Sequence, residues 1–207
     1  MNINVIDAPL IVGIGGGANS NSSTEKLLSL ALEEARTHGV RSELFGGQHL
    51  ALLPHYATPG ATVSPEGKAL VAAIRRADGL IIASPGYHGS LSGVVKNAID
   101  YVEETARDSR PYFTDLPVGL IAVAGGAQAA MSTLCALRTI VHALRGWPTP
   151  FGASLNSSTM QFRDGVCIDT TAIDHIKLVS AQVATFALRA KRIRPTGNQE
   201  REDKAWL

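Results

Sequence analysis

An excess of charge of either sign is missing from this chain. Its 19 Lys and Arg residues stand against 18 Asp and Glu, a formal net charge of +1 at pH 7. A field that weak recruits neither nucleic acid nor an anionic membrane surface. Cysteine is almost absent. Cys135 sits in an apolar helical pattern and Cys167 beside a polar loop, and neither belongs to a C-x-x-C or His-rich metal spacing. Both are expected as free thiols. Long apolar runs are lacking too. No window approaches the ~18 uninterrupted apolar residues of a spanning helix, and Met1 to Asp7 has no basic segment leading into an apolar one. A cytoplasmic protein is the expectation. His38, His142 and His175 stand singly, without partners at i+4, which argues against a metal centre. No G-K-[ST] follows the early glycines, which disfavours a nucleoside-triphosphate loop.

What the chain does have is regular alternation. With 207 residues, 45% of them hydrophobic, it can bury one good core and is short for two. One domain over 1–192 is expected, with a polar tail at 193–207. Apolar runs at Leu10 to Ile14, Gly79 to Ala83 and Val118 to Ala124, an alternating pattern at Val40 to Phe45, and a segment near Phe151 to Leu155 read as five strands. Between them lie helical patterns. One runs from the caps before Leu27 to His38-Gly39, one from Pro65 to Ala77, one from Leu91 to Ala106, one from Gly125-Gly126 to Arg145, and one from Thr170 to Lys191. Gly46 to Pro65 reads as a long connection. Continuously apolar strands alternating with helices imply a parallel sheet covered on both faces, and five of them suggest a flavodoxin-like doubly wound order in a three-layer α/β/α domain. Such a sheet binds its ligand outside the carboxyl ends of its strands, where the winding reverses.

Three loops poor in bulky side chains follow strands one, three and four. Gly13 to Ala18 formally satisfies G-x-G-x-x-A, but helical periodicity begins only after Asn19-Ser20-Asn21-Ser22-Ser23-Thr24. A run of amides and hydroxyls before a helix N-terminus suits a terminal phosphate monoester better than a pyrophosphate, and any one of these hydroxyls also serves as a simple cap. The most informative stretch is Ala83 to Ile99, A-S-P-G-Y-H-G-S-L-S-G-V-V-K-N-A-I, in which a strand stops at Ser84-Pro85-Gly86 and Ser90 or Ser92 opens a new helix. Asp164 and Asp169 read as caps around a polar loop.

On these residues the chain resembles the NADPH-dependent FMN reductase family. Gly16 to Leu27 matches G-S-x-R-x-x-S-x-[TN]-x-x-L in frame, Ser84 to Asp100 nearly completes S-P-E-Y-H/N-G-S-x-x-G-x-L-K-N-A-I-D, and Gly125-Gly126 with Leu137-Arg138 corresponds to the third signature. The resemblance spans about Leu10 to Leu155. It implies FMN with its phosphate in the first loop, at Gly16, Gly17, Asn19, Ser22, Ser23 and Thr24. The isoalloxazine would lie against Pro85, Gly86, Tyr87, His88, Gly89 and Ser90, and against Gly125 and Gly126. The cofactor then carries the redox step, with NADPH or NADH as hydride donor and no protein nucleophile. Backbone N–H groups of Gly86 to Gly89 would serve the ring edge. Tyr87 either flanks the ring or packs on a neighbouring subunit, His88 either donates a proton or stabilises the loop, and Asn97 fixes the loop. Quinones, azo compounds, metal oxyanions or a partner monooxygenase would take the electrons. Dimers or tetramers are implied, in keeping with the excess apolar surface of Met131 to Leu144. A flavodoxin-type electron carrier or a flavin-binding redox protein without turnover is the alternative. Carriers are usually strongly acidic around the flavin, which the balanced charge does not match. Two departures stand out. Asn19 replaces the usual Arg, and Gly86 replaces the usual Glu.

Overall fold

In the computed structural model, residues 8–17 and 22–193 are described. Strand β1 (Leu10–Gly15) is buried along its whole length and pairs in parallel with β2 (Arg41–Phe45) on one side and β3 (Gly79–Tyr87) on the other. Strand β5 (Pro117–Ala124) continues the parallel sheet beyond β3. Helix α1 (Ser23–Thr37) follows β1, α3 (Pro65–Arg76) precedes β3, α4 (Gly93–Asp100) follows it, α5 (Ala127–Ala143) follows β5, and α6 (Thr170–Ile193) closes the domain. The order β2-β1-β3-β5 is the doubly wound arrangement read from the sequence.

The two-residue period of a strand divides the core. Leu10, Val12 and Ile14 of β1, with Leu80, Ile82, Val118 and Leu120, join α3, α4 and α5 on one face of the sheet. Ile11, Ile81, Ile121 and Val123 point the other way, into the layer of α1 and α6, where the Ser180 hydroxyl donates to the Ala31 carbonyl at 2.9 Å. Both faces are covered along β1, β3 and β5, so nearly every residue of these central strands is apolar, whereas the edge strand β2 (Arg-Ser-Glu-Leu-Phe) is largely exposed.

Several boundaries differ from the sequence reading. Ser84-Pro85-Gly86 is strand rather than loop: β3 runs on to Tyr87, with Ser84 opposite Ala122 and Pro85 opposite Val123. Strand β1 ends opposite Ala83, so past that point β3 has a parallel neighbour on one side only, an edge-like position that accepts proline. Gly86 and Tyr87 then turn back on Leu91 and Ser90, which form the short antiparallel β4 (Ser90–Leu91). Ser92 is therefore the cap of α4, accepting from the Val95 N–H at 3.4 Å, and Ser90 belongs to the hairpin. The helix it opens is α-helical only to Asp100 and tightens to 3₁₀ over Tyr101–Thr105. The long connection after β2 contains a helix, α2 (Gly47–Leu52), and a 3₁₀ turn (Ala61–Val63). The fifth strand is split. β6 (Trp147–Pro148) pairs with the start of β5 and β7 (Ala153–Asn156) with its end. Pro148, Pro150 and Gly152 account for the break. A further hairpin, β8 (Phe162–Arg163) and β9 (Val166–Cys167), precedes α6. Asp164 and Gly165 have φ of 49° and 81° at its tip, so Asp164 makes a turn, whereas Asp169 caps α6 through Ala172 N–H at 2.9 Å.

The second half of the Ser84–Asp100 stretch is architectural. Asn97 Oδ1 accepts from Tyr56 N–H at 2.8 Å and its Nδ2 donates to the Pro54 carbonyl at 3.0 Å, so it fixes the segment after α2 and not the hairpin. Tyr101 donates to the same carbonyl at 2.8 Å. The Lys96 ammonium pairs with Asp100. Tyr56 packs edge-on against Tyr101, and burial together with the Glu104 carboxylate that its hydroxyl meets at 2.9 Å pushes its phenol up to about 12.

Candidate functional site

A cavity of about 420 Å³ lies at the carboxyl end of the sheet. It is lined by Gly17, Ser22, Ser23 and Thr24 from the first loop and the start of α1, by Pro85, Gly86 and Tyr87 at the end of β3, by Val123, Ala124 and Gly125 at the end of β5, and by Ser157 after β7. The loops read from the sequence thus converge. Its volume falls in the range that holds one small organic ligand.

The first loop owes its shape to close backbone contacts. Gly16 N–H donates to the Ala83 carbonyl at 3.2 Å, and Gly17 N–H donates to Ser22 Oγ at 2.9 Å. Ser22 also caps α1, accepting from Glu25 N–H at 3.4 Å, so its oxygen lone pairs serve the fold. Ser23 and Thr24 begin the helix, and their N–H groups are among the four that an α-helix leaves without an intrahelical partner. Thr24 is 1% exposed on the cavity wall. None of the described lining residues carries a charged side chain. The cavity therefore offers a helix N-terminus and hydroxyl donors in place of a cation.

Glu25, one residue further along α1, carries a role the sequence reading missed. Its Oε2 accepts from Gly47 N–H at 2.7 Å, tying α1 to the start of α2. Gly16, Gly46 and Gly47 crowd around that carboxylate, and a Cβ on Gly47 would stand 1.9 Å from the Gly17 carbonyl oxygen. An acidic residue in the first turn of a helix is ordinary, and nothing local marks it as a tie between two loops.

The β3–β4 hairpin forms the second wall. His88 and Gly89, with φ of 50° and 86°, are the two central residues of its turn, a pair of positive φ values that matches strand twist. Both are exposed at the tip with Ser90, away from the lining, and Gly126 also falls outside it. Gly86 and Tyr87 lie in the ladder, so their backbone groups are partly engaged by β4. Tyr87 is 57% exposed at the mouth. Behind the wall, buried Ser84 accepts from Ser92 N–H at 2.9 Å, locking the hairpin to α4. Thr133 of α5 packs against Gly86, its hydroxyl 2.9 Å from the Ala129 carbonyl and 3.2 Å from that of Ser90.

The third wall begins where Gly125-Gly126 leads into α5, whose N-cap Gly126 contributes no side chain. Ser158 Oγ donates to the Gly125 carbonyl at 2.6 Å and Ser157 N–H to that of Ala124 at 2.8 Å, which brings the loop after β7 into the site. Ala124 opens the third loop read from the sequence, whereas Val123 and Ser157 were not read from it, although the polar run Asn156 to Thr159 directly after a strand was a usable signal. Asn19 lies outside the described residues. No group of His, Cys, Asp and Glu among the described residues could hold a metal ion, and no described helix is long and apolar enough to cross a membrane.

The donor set and the walls fit a flat mononucleotide: a helix N-terminus with hydroxyl-bearing residues for a phosphate, and a slot of proline, glycine and small apolar residues for a ring system. Comparison with known proteins agrees. Residues 9–159 match the NADPH-dependent FMN reductase family. An FMN-dependent NADPH-azoreductase of Staphylococcus aureus (strain USA300) is 34% identical over 139 residues, 65% of this chain and 70% of that protein. Among solved structures, an oxidoreductase from Corynebacterium diphtheriae shares the fold with a TM-score of 0.69 at 19% identity, over 88% of this chain and 98% of the other. The NAD(P)H:(acceptor) oxidoreductase FerB from Paracoccus denitrificans gives the same four values. An NADH:FMN oxidoreductase, EMOB, gives a TM-score of 0.66 at 24% identity over 88% and 90%.

Proposed function

This chain belongs to the NADPH-dependent FMN reductase family, and we propose that it holds FMN in the cavity at the carboxyl end of the sheet and passes electrons from NADPH or NADH to an azo or quinone acceptor. It is an oxidoreductase that uses FMN and NAD(P)H. Bound in this cavity, FMN would supply the hydride-transfer chemistry between a nicotinamide and an acceptor.

The observation that carries the reading is the pairing of a helix N-terminus with a backbone-lined slot in one cavity. The first-turn N–H groups of Ser23 and Thr24 and the Thr24 hydroxyl bind the phosphate. Pro85, Gly86, Tyr87, Val123, Ala124 and Gly125 orient the ring, and Ser157 closes the side beyond β7. Tyr87, exposed at the mouth, borders the face that receives the nicotinamide. No side chain is required to move a proton for hydride transfer, and none in the lining is placed to do so. The azoreductase relative favours an azo acceptor over delivery of reduced flavin to a monooxygenase. Half-exposed Met131 on α5 and Leu52 on α2 supply apolar surface for self-association.

Anaerobic stopped-flow absorbance at the oxidised-flavin band tests this. Protein with FMN, mixed with NADPH and separately with NADH, is expected to bleach and to recolour on addition of an azo dye. Bleaching that turns over only with excess free FMN assigns the enzyme to flavin supply instead. Bound flavin bleached by neither nucleotide overturns the reductase reading.

A further inference from the structure

A second concavity, of about 450 Å³, opens at the opposite end of the sheet. Its walls include Pro117 at the start of β5, Trp147 and Pro148 of β6, Pro150, and Phe186 and Ala190 of α6. The length of β5, Pro117–Ala124, or roughly 23 Å at ~3.3 Å per residue, separates it from the flavin cavity. Trp147 is 66% and Phe186 47% exposed, so two aromatic rings border one groove with large faces in water. Backbone donors are spent: Trp147 N–H and Thr149 N–H both point into the sheet, at 2.9 Å from the Leu116 and Val118 carbonyls, and Pro148 has none. The occupant is held by side chains and not by an added strand.

We propose that this groove receives the chain's own C-terminal segment, with the Trp206 indole and Leu207 seated against Trp147, Phe186 and Ala190. Helix α6 ends at Ile193, three residues beyond Ala190, so the chain leaves the described structure beside the groove. Residues 194–204 read R-P-T-G-N-Q-E-R-E-D-K and carry nothing to bury, whereas Ala205-Trp206-Leu207 is apolar. The thirteen residues from Ile193 to Trp206 span at most about 45 Å when extended. A flexible chain of that length has a root-mean-square span of about 20 Å. Return to the groove is therefore unstrained, and tethering holds the indole at an effective concentration in the millimolar range, an advantage a second copy's tail lacks. The last turn of α6 is basic, with Lys191 and Arg192, and the tail balances Glu200, Glu202 and Asp203 against Arg194, Arg201 and Lys204, so no net charge opposes its return. Asp115 on the groove wall complements Lys204.

The sequence supplies its own reporters, since Trp147 and Trp206 are its two tryptophans. Trp147→Phe leaves Trp206 alone while keeping an aromatic wall. In the FMN-loaded full chain, Trp206 is expected to emit at shorter wavelength than a free indole and to resist acrylamide quenching. Ala190→Asp and, separately, Phe186→Ser are expected to abolish both properties with the rate of flavin reduction unchanged. A chain ending at Ile193 is expected to make Trp147 more readily quenched, a readout that needs no groove substitution. Trp206 with the emission of a water-exposed indole overturns the proposal, as does protection that survives both groove substitutions in folded protein. Protection lost on dilution together with a halving of sedimentation mass overturns it in favour of a second copy's tail.

Discussion

Gly86 and Thr133 compete for one volume: a Cβ at position 86 would stand 2.5 Å from the Thr133 hydroxyl oxygen and 3.0 Å from Ala124 Cβ. That hydroxyl lies between the Ala129 and Ser90 carbonyls, so the residue that fills the space also steadies the hairpin. The family pattern places Glu at 86. In this chain Thr133 fills the room a side chain at 86 would need, so Gly86 is required by packing.

Gly86→Ala is expected to destabilise the protein by about 1–3 kcal/mol through overpacking. Thr133→Ala alone costs about 1 kcal/mol for its hydrogen bonds. The double variant is expected to be more stable than the sum of the two predicts, because the clash and its cause are removed together. Urea denaturation of the four proteins checks this; strict additivity would show that the contact is relaxed by backbone shift.

Thr24→Val keeps the side-chain volume and removes a hydroxyl. FMN affinity is expected to fall about tenfold, the worth of one hydrogen bond to a charged group, while riboflavin affinity stays constant. Titration by flavin fluorescence distinguishes the two. An equal loss for both ligands would place Thr24 away from the phosphate.

Glu25→Ala is expected to cost about 1–3 kcal/mol, since Gly47 N–H loses its acceptor, and to weaken FMN binding through the first loop. Glu25→Gln keeps an oxygen acceptor and is expected to recover most of the stability. Thermal melts of the apo and FMN-loaded forms measure both effects.

Stability is expected to fall in alkali. Tyr56 ionises at about 12 in the fold, because of burial first and then its Glu104 partner with Glu103 and Asp100 nearby, against about 10 in an unfolded chain. A raised pKa favours the protonated fold below 10, and the advantage is lost as pH climbs from about 10 to about 12. Tyr56→Phe is expected to flatten part of that decline in denaturation midpoints. The rest belongs in part to Tyr101, whose phenol burial also raises.

The elements legible in the sequence are those with burial on both faces or a cap at the end. β1 and β5 announce themselves by apolar runs, and α1, α3 and α4 by Ser22, Ser64 and Ser92, each accepting from an N–H three residues on. The missed elements are too short for a period to register: α2 has six residues, and β6, β8 and β9 two each. Ser84-Pro85-Gly86 was read as a loop because proline and glycine usually end a strand, and only the tertiary fact that β1 stops opposite Ala83 makes strand tolerable there. At the site, residues carried by local motif that line the cavity are Gly17, Ser22, Ser23 and Thr24 in the first loop, Pro85, Gly86 and Tyr87 at the end of β3, and Gly125. Glu25, Thr133 and Ser157 act across 22 to 43 residues or from a separate loop, and no local pattern encodes such distances.

The cavity at the carboxyl end of the sheet is closed by Ser157, a residue past the last strand to join the sheet, on loops that start at Gly17. Parallel pairings of that sequence separation form late in folding, after their loop-closure cost has been met. A complete cavity therefore exists only near the native state, and a molecule that binds it cannot template the early chain. FMN is expected to leave the refolding rate of this protein unchanged and to act as a brake on unfolding, lengthening the lifetime of the finished fold.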